Sequence, residues 1–284
     1  MDKERNKNKI RMRAQLVFNP WESRALIAKT IINHPLVKKS LKEGIIAIGR
    51  GISNAFIVQE LLKETKNEHF ELNINNYVAG VISGSLCASN GEARSPEIIF
   101  RKGVPEIMEM GKAIDEMGGN DLVIKGGNAL DPNFVAGVLL AHPKGGTIGA
   151  FYPAAIAKGV KILVPISLEK MVPYPLTAMI HELGGQKNID YSRGLPVGLF
   201  PIVGGETFTE IDAIELTGVV DAFPIASGGA MGGEGSVTLE ISGNEKEVTK
   251  VIVLAKEVYG TQPLIVDMMD CKECELKGCE KSGE

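Results

Sequence analysis

A chain of 284 residues, 44% hydrophobic and 23% charged, can bury a core of its own and needs no disulfide or metal to fold. A net charge of −4 and a pI near 5.7 argue against a dedicated nucleic-acid or acidic-membrane binder. No apolar run reaches the roughly 20 residues of a membrane span, and no apolar stretch follows the basic N-terminus as in a signal peptide, so a cytoplasmic protein is expected.

Residues 1–21 read as a basic arm carrying Lys3, Arg5, Lys7, Lys9, Arg11 and Arg13, either a solvated tail or a contact for a partner. Residues 22–43 read as helix, with Ala25, Leu26, Ile31, Ile32, Leu36, Val37 and Leu41 at helical spacing, divided at Pro35 and ended by Gly44. Ile45-Ile46-Ala47-Ile48 is a wholly apolar strand, the kind buried inside a parallel sheet. Ser53 can cap the next helix, which carries Ala55, Phe56, Val58, Leu61 and Leu62. Residues 70–82 read as extended and 83–95 as a Gly/Ser loop. A helix is expected over 96–117, interrupted at Gly103 and Pro105, and ended by Gly118-Gly119. Residues 121–124 and 160–166 are further apolar strands, with a helix at 154–158 between them. Alternating strand and helix with apolar strands predicts a Rossmann-like, mostly parallel α/β domain over 22–194. From 195 to 267 the order strand (197–203), helix (207–217), strand (221–227), strand (236–242), helix (244–258), strand (263–267) predicts a smaller ferredoxin-like α+β domain. Residues 268–284 form a Cys-containing tail.

Glycine, 33 of 284 residues, is concentrated where strands end. There it permits a sharp turn and lets a ligand approach the backbone, beside unpaired N–H groups at the start of the following helix. In Gly49-Arg50-Gly51-Ile52-Ser53, residues Gly49, Arg50, Gly51 and Ser53 can hold an anion, Arg50 gripping phosphate at two points; a tight structural turn with an exposed Arg is the plain alternative. Asn54 stands where a dinucleotide fingerprint needs its third glycine. In Asp121-Leu122-Val123-Ile124-Lys125-Gly126-Gly127-Asn128-Ala129-Leu130-Asp131, Lys125 would point into the same crevice and neutralise a phosphate or an enolate oxygen. Gly126, Gly127 and Asn128 would stand beside it. The alternative is a glycine hairpin with a surface lysine. Gly146 and Thr147 can close the pocket with backbone N–H groups and a hydroxyl. Glu169 and Lys170 are either site residues or a solvated ion pair, and His142 is the histidine best placed for a site.

These clusters, taken in order, resemble the superfamily of ribose-5-phosphate isomerase, glucosamine-6-phosphate deaminase and the CoA transferases. Ile46 to Ser53 is similar to the isomerase's strand and phosphate-holding turn, and Asp121 with Lys125-Gly126-Gly127 and Ala129-Leu130 to its lysine loop. The resemblance covers about residues 22–170 and implies a sugar-phosphate scaffold. The isomerase's catalytic Glu has no counterpart, since Asn133-Phe134-Val135 stand in its place, and an aldose–ketose isomerase needs a positioned carboxylate.

The leading expectation is therefore an isomerase- or transferase-like protein that binds and acts on a phosphorylated or anionic small metabolite. Lys125 would stabilise developing charge, and Asp121 or Asp131 would move a proton. A non-catalytic metabolite sensor, with the second domain reporting occupancy or mediating homo-oligomerisation, uses the same pocket. A third reading takes Cys271, Cys274 and Cys279 as ligands for zinc or an iron–sulfur cluster, with Cys87 or a second subunit completing the set, against a tail of free thiols.

Overall fold

The apolar runs at 45–48, 122–124 and 162–165 lie side by side in the central sheet, every residue buried. This computed structural model describes residues 11–80, 87–183, 185 and 187–274. Its elements are β1 (Arg11–Phe18), α1 (Pro20–Ile31), α2 (Pro35–Glu43), β2 (Ile45–Ile48), α3 (Ile52–Glu64), β3 (Ile98–Arg101), β4 (Val104–Ile107), α4 (Met110–Glu116), β5 (Leu122–Ile124) and β6 (Ala129–Leu130). They continue with β7 (Ala136–Leu140), α5 (Gly146–Lys158), β8 (Lys161–Pro165), α6 (Leu176–Met179), β9 (Gly198–Pro201), β10 (Glu206–Phe208), α7 (Glu210–Thr217), β11 (Val220–Ser227), β12 (Val237–Asn244) and α8 (Glu245–Val258). Short 3-10 turns occupy Ile74–Asn76 and Leu168–Lys170.

The protein is mixed α/β. Its six-stranded sheet has the order β10-β8-β5-β2-β3-β4. The first four strands are parallel, and β3 and β4 run antiparallel at one edge. Among the described residues there are also two small antiparallel sheets, β1-β12-β11 and β6-β7-β9. Helix α1 packs on α3, α7 and α8, while α4 packs on α5. Among the described residues no helix is long and apolar enough to cross a membrane.

Several expectations are corrected. The stretch 96–117 is the hairpin β3–β4 followed by α4, not an interrupted helix. Lys102 and Gly103 both take positive φ (49° and 82°), the conformation of a two-residue hairpin turn. Pro105 is tolerated because β4 is an edge strand. Residues 70–80 hold only a 3-10 turn. Helix α5 begins at Gly146, eight residues before the expected start, with Pro153 inside it. The arm is not wholly a tail: β1 pairs with β12 along its whole length. Its inward residues Leu16 and Phe18 are buried, and Arg11 and Arg13 pair with Asp221 and Glu240.

The β-α-β-β-α-β sheet expected over 195–267 is also not formed as read. Strand β9 pairs with β7, the short β10 joins β8 in the central sheet, and 263–267 is not a strand. Only β11 and β12 of the expected four lie together, with β1 as their third strand. Alternation along a strand reports which face is buried; it carries no information about which neighbour supplies the hydrogen bonds.

Candidate functional site

Strands β2, β5 and β8 end at the same edge of the sheet, and the chain turns there three times. The ladder continues one step past the strands, with Gly49 N–H donating to the Ile124 carbonyl (2.9 Å) and Lys125 N–H to that of Leu163 (3.0 Å). These bonds hold the two loops side by side. After the first loop, Gly51 rather than Ser53 is the cap of α3, and among the described residues no side chain caps that helix end. Helix α5 likewise starts from Gly145 in the left-handed conformation (φ 76°) with no side-chain cap. By contrast α1, α7 and α8 are capped by Asn19, Thr209 and Asn244. Both uncapped ends face one cavity of about 980 Å³. Their first-turn N–H groups and the positive end of each helix dipole are thus offered to whatever enters.

Among the described residues lining the cavity are Arg24, Arg50, Arg94, Lys125 and Lys170, against the carboxylates Glu97 and Glu109. Arg50 Nη2 stands 3.5 Å from Glu97 Oε1, while the other Glu97 oxygen accepts the Met110 N–H at 2.6 Å and so caps α4. Arg24 donates to Glu169 at 2.6 Å, with both side chains 11% exposed. Burial outweighs that partner and pulls the Arg24 pKa down. The Nε and Nη1 of Arg24, the Nε of Arg50 and the Oδ1 of Asn54 are buried with no hydrogen-bond partner among the described residues. Arg94 is held by the Ser89 hydroxyl and carbonyl, each at 3.0 Å. Burial, and after it the charge of Arg50, lowers its pKa.

Each lysine is half-buried at the cavity wall and donates to a backbone carbonyl: Lys125 to Gly126 (2.8 Å) and Lys170 to Gly127 (2.7 Å). Desolvation pushes the Lys125 ammonium down to about 8, with Glu97 opposing. Desolvation, with Arg24 and Lys125 as neighbouring cations, pushes Lys170 down to about 8 against the pull of Glu169 and Glu210.

Of the residues singled out from sequence, Arg50, Gly51, Ser53, Lys125, Gly126, Gly127, Asn128, Gly146, Thr147 and His142 line this one cavity. Gly49 lies just behind it, where a Cβ would come within 2.9 Å of the Lys125 side chain. Asn128 is oriented by β7, its Oδ1 accepting the Leu139 N–H at 3.1 Å. The two carboxylates proposed for proton transfer lie elsewhere. Asp121 precedes β5, at the opposite end of the strand, and accepts from the backbone N–H groups of Ile45 and Gly118, each at 2.7 Å. Asp131 is buried and holds the N–H groups of Asn133, Val135 and Leu176 at 2.8, 2.9 and 3.0 Å. Both brace turns. The sequence reading overlooked Arg24, Arg94 and Glu97. It offered Glu169 and Lys170 as site residues or as a solvated ion pair; Lys170 lines the cavity, while Glu169 turns to Arg24.

Of the tail cysteines, Cys279 lies outside the described residues. Cys271 and Cys274 sit on a turn with Cys274 N–H directed at the Cys271 carbonyl (3.4 Å). The chain just before them runs antiparallel to 88–90: Asn90 N–H donates to the Asp267 carbonyl (2.8 Å), Met269 N–H to that of Ala88 (3.3 Å), and Ser89 bridges Met268. Cys87 immediately precedes this paired segment, and Ala88 and Met269 line the cavity. Among the described residues no group of three His, Cys, Asp or Glu side chains is set to hold a metal. No family model matches the chain, and no curated protein compared with it is a match.

Proposed function

We propose that this protein binds, and acts on, a phosphorylated or otherwise anionic small metabolite at the carboxyl edge of its central sheet, which serves as a Rossmann-like scaffold. One observation carries the reading: among the described residues, five cations and two helix ends without side-chain caps converge on one cavity whose lining carboxylates are Glu97 and Glu109. Guanidinium nitrogens buried without partners cost stability unless an anion meets them, and helix N-termini bind phosphate through their free N–H groups. The volume is at the upper end of that of small-molecule pockets, enough for a sugar phosphate or a nucleotide. The similarity to sugar-phosphate isomerases points to the same chemistry. With Asp121 and Asp131 spent on backbone, the lining groups left to assist a reaction include Lys125 and Lys170 beside His142, Glu97 and Glu109. A sensor that binds the same ligand without converting it differs in one measurement, the absence of product after prolonged incubation.

The test is thermal unfolding with added inorganic phosphate, sugar phosphates, nucleotides and CoA esters, because a ligand bound only by the native state raises its stability. At least one class is expected to raise the midpoint, and indifference to all of them overturns the reading. The pH dependence is specific. Folded-state pKa values of about 8 against 10.5 mean that both ammonium groups discharge as the pH passes 8, so phosphate affinity should fall there rather than near 10.5. In the ligand-free protein the sign is opposite. The folded state binds fewer protons than the unfolded state between about 8 and 10.5, so the penalty of two enclosed charges is complete below 8 and relieved across that window. Calorimetry in buffers of different ionisation enthalpy should record proton uptake on phosphate binding near pH 8; none at that pH would mean that the lysines do not meet the anion.

A second reading starts from the pairing of 267–269 with 88–90, which sets Cys87 on the segment next to the one that leads into Cys271 and Cys274, although these three as they stand are not set to hold a metal. In that reading the thiolates, with Cys279, hold zinc or an iron–sulfur cluster at the lip of the cavity. Metal analysis of the full chain purified without oxygen is expected to find zinc or iron near one equivalent or more per chain, and Cys87→Ser and Cys274→Ser each to abolish it. Metal content unchanged in both variants would remove the site.

A further inference from the structure

We infer that Lys170 is an amine nucleophile that forms an imine with the carbonyl group of an anionic oxo-compound held in this cavity. The inference rests on the anion-pocket reading and adds to it a covalent step and a class of substrate.

The position of Lys170 is imposed by two elements. Its 3-10 turn leaves β8, and Ser167 at its head accepts the Glu169 N–H at 3.3 Å. The same hydroxyl donates to one oxygen of Glu210, at the start of α7, while the Leu168 N–H donates to the other (2.9 Å). The base of the side chain is therefore pinned from strand and helix together. The tip donates to the Gly127 carbonyl at 2.7 Å, a neutral acceptor that serves an amine and an ammonium alike. Among the described residues no carboxylate lies within ion-pair reach of it. Glu169 is committed to Arg24 (2.6 Å) and Glu210 to the turn. The charged groups acting on Lys170 are Arg24 from α1, Lys125 from the loop after β5, Glu169 from its own turn and Glu210 from α7. A partly desolvated amine beside two cations, whose nearby carboxylates are engaged elsewhere, loses its proton readily and becomes nucleophilic. The carbonyl-anchored position at the cavity wall is the geometric basis, and the lowering to about 8 accords with it.

The step balances without an oxidant. The neutral amine adds its lone pair to the carbonyl carbon, and the carbonyl oxygen takes up the proton released by nitrogen. The C–O bond then breaks, and oxygen leaves as water with both former amine hydrogens, so that a C=N bond replaces C=O. Arg50 and the N–H groups at the starts of α3 and α5 hold the anionic end of the substrate, a phosphoryl group or a carboxylate.

The probe is pyridoxal 5′-phosphate, an anionic aldehyde, followed by borohydride, which reduces the C=N bond to a stable amine, and by peptide mapping. Lys170 of the full chain is expected to carry the label. Pyridoxal, which lacks the phosphate, should label about tenfold less, as loss of a charge-assisted contact implies. Inorganic phosphate should protect, and the rate should rise with pH to a half-maximum near 8, where an ordinary lysine needs 10.5. Lys170→Arg should abolish the label, and the wild-type peptide map stands by itself if that variant fails to fold. Borohydride trapping with dihydroxyacetone phosphate and with pyruvate then separates a phosphorylated from a carboxylate substrate. Label on Lys125 or spread over surface lysines, while phosphate still raises the unfolding midpoint, overturns the imine and leaves the anion pocket standing. No label and no phosphate response overturn both.

Discussion

Arg24→Met is expected to lower the unfolding free energy by about 3 kcal/mol, the usual cost of stranding one member of a buried ion pair. Its guanidinium lies on α1, faces Glu169 at 2.6 Å and stacks 5.0 Å from the Trp21 ring. Only one of its three nitrogens is matched, so the residue contributes less than a fully bonded arginine would. Removing it leaves Glu169 without its partner, next to Lys170. The double variant Arg24→Met/Glu169→Gln removes both charges and should recover most of the lost stability without recovering phosphate affinity. Urea unfolding and calorimetric titration read the two effects separately. If the double variant also regains affinity, Arg24 serves the fold and not the ligand.

Gly149→Ala is expected to have a comparable effect through the backbone. Gly149 lies in the first turns of α5, and a Cβ there would overlap the carbonyl oxygen of Lys144. Lys144 precedes Gly145, whose left-handed cap turns the chain back over this helix end. Neither backbone group is a flexible side-chain tip, so the loop must be rebuilt, with a cost of about 2–4 kcal/mol in the upper range for single substitutions. Gly146 and Thr147 would be carried away from the cavity, and phosphate affinity should fall with stability. Gly118→Ala is the matched control, because a Cβ there meets nothing within 4 Å and its φ is not positive. Equal unfolding midpoints for the two variants would show that the close approach at Gly149 is not needed.

Local sequence by itself determined the pieces with strictly local causes. The apolar runs at 45–48, 122–124 and 162–165 became buried strands, because no side chain in them tolerates water on either face of a sheet. Glycine-rich turns after two of them, and at the head of α5, marked the edge where a ligand can approach. Helices α3, α7 and α8 were legible along the chain, α3 in its apolar face. The loops nearest the site were therefore visible in the chain as written.

Tertiary structure decided which pieces meet. Ile98, Ile99 and Ile107 suit a helix face or a hairpin, and pairing of β3 with β2 selects the hairpin. Nothing near residues 11–18 announces that β12, more than two hundred positions away, supplies their hydrogen bonds. Asp121 reads as a catalytic acid only until its place before β5, beside the Ile45 and Gly118 N–H groups, is known. Arg24, Arg94 and Lys170 reach the cavity from three separated segments. The charge balance that depresses two lysines exists only once those segments pack, because a pKa responds to burial and to neighbours in space. Chain order carries propensity and turn chemistry, while long-range packing alone sets partners and fields.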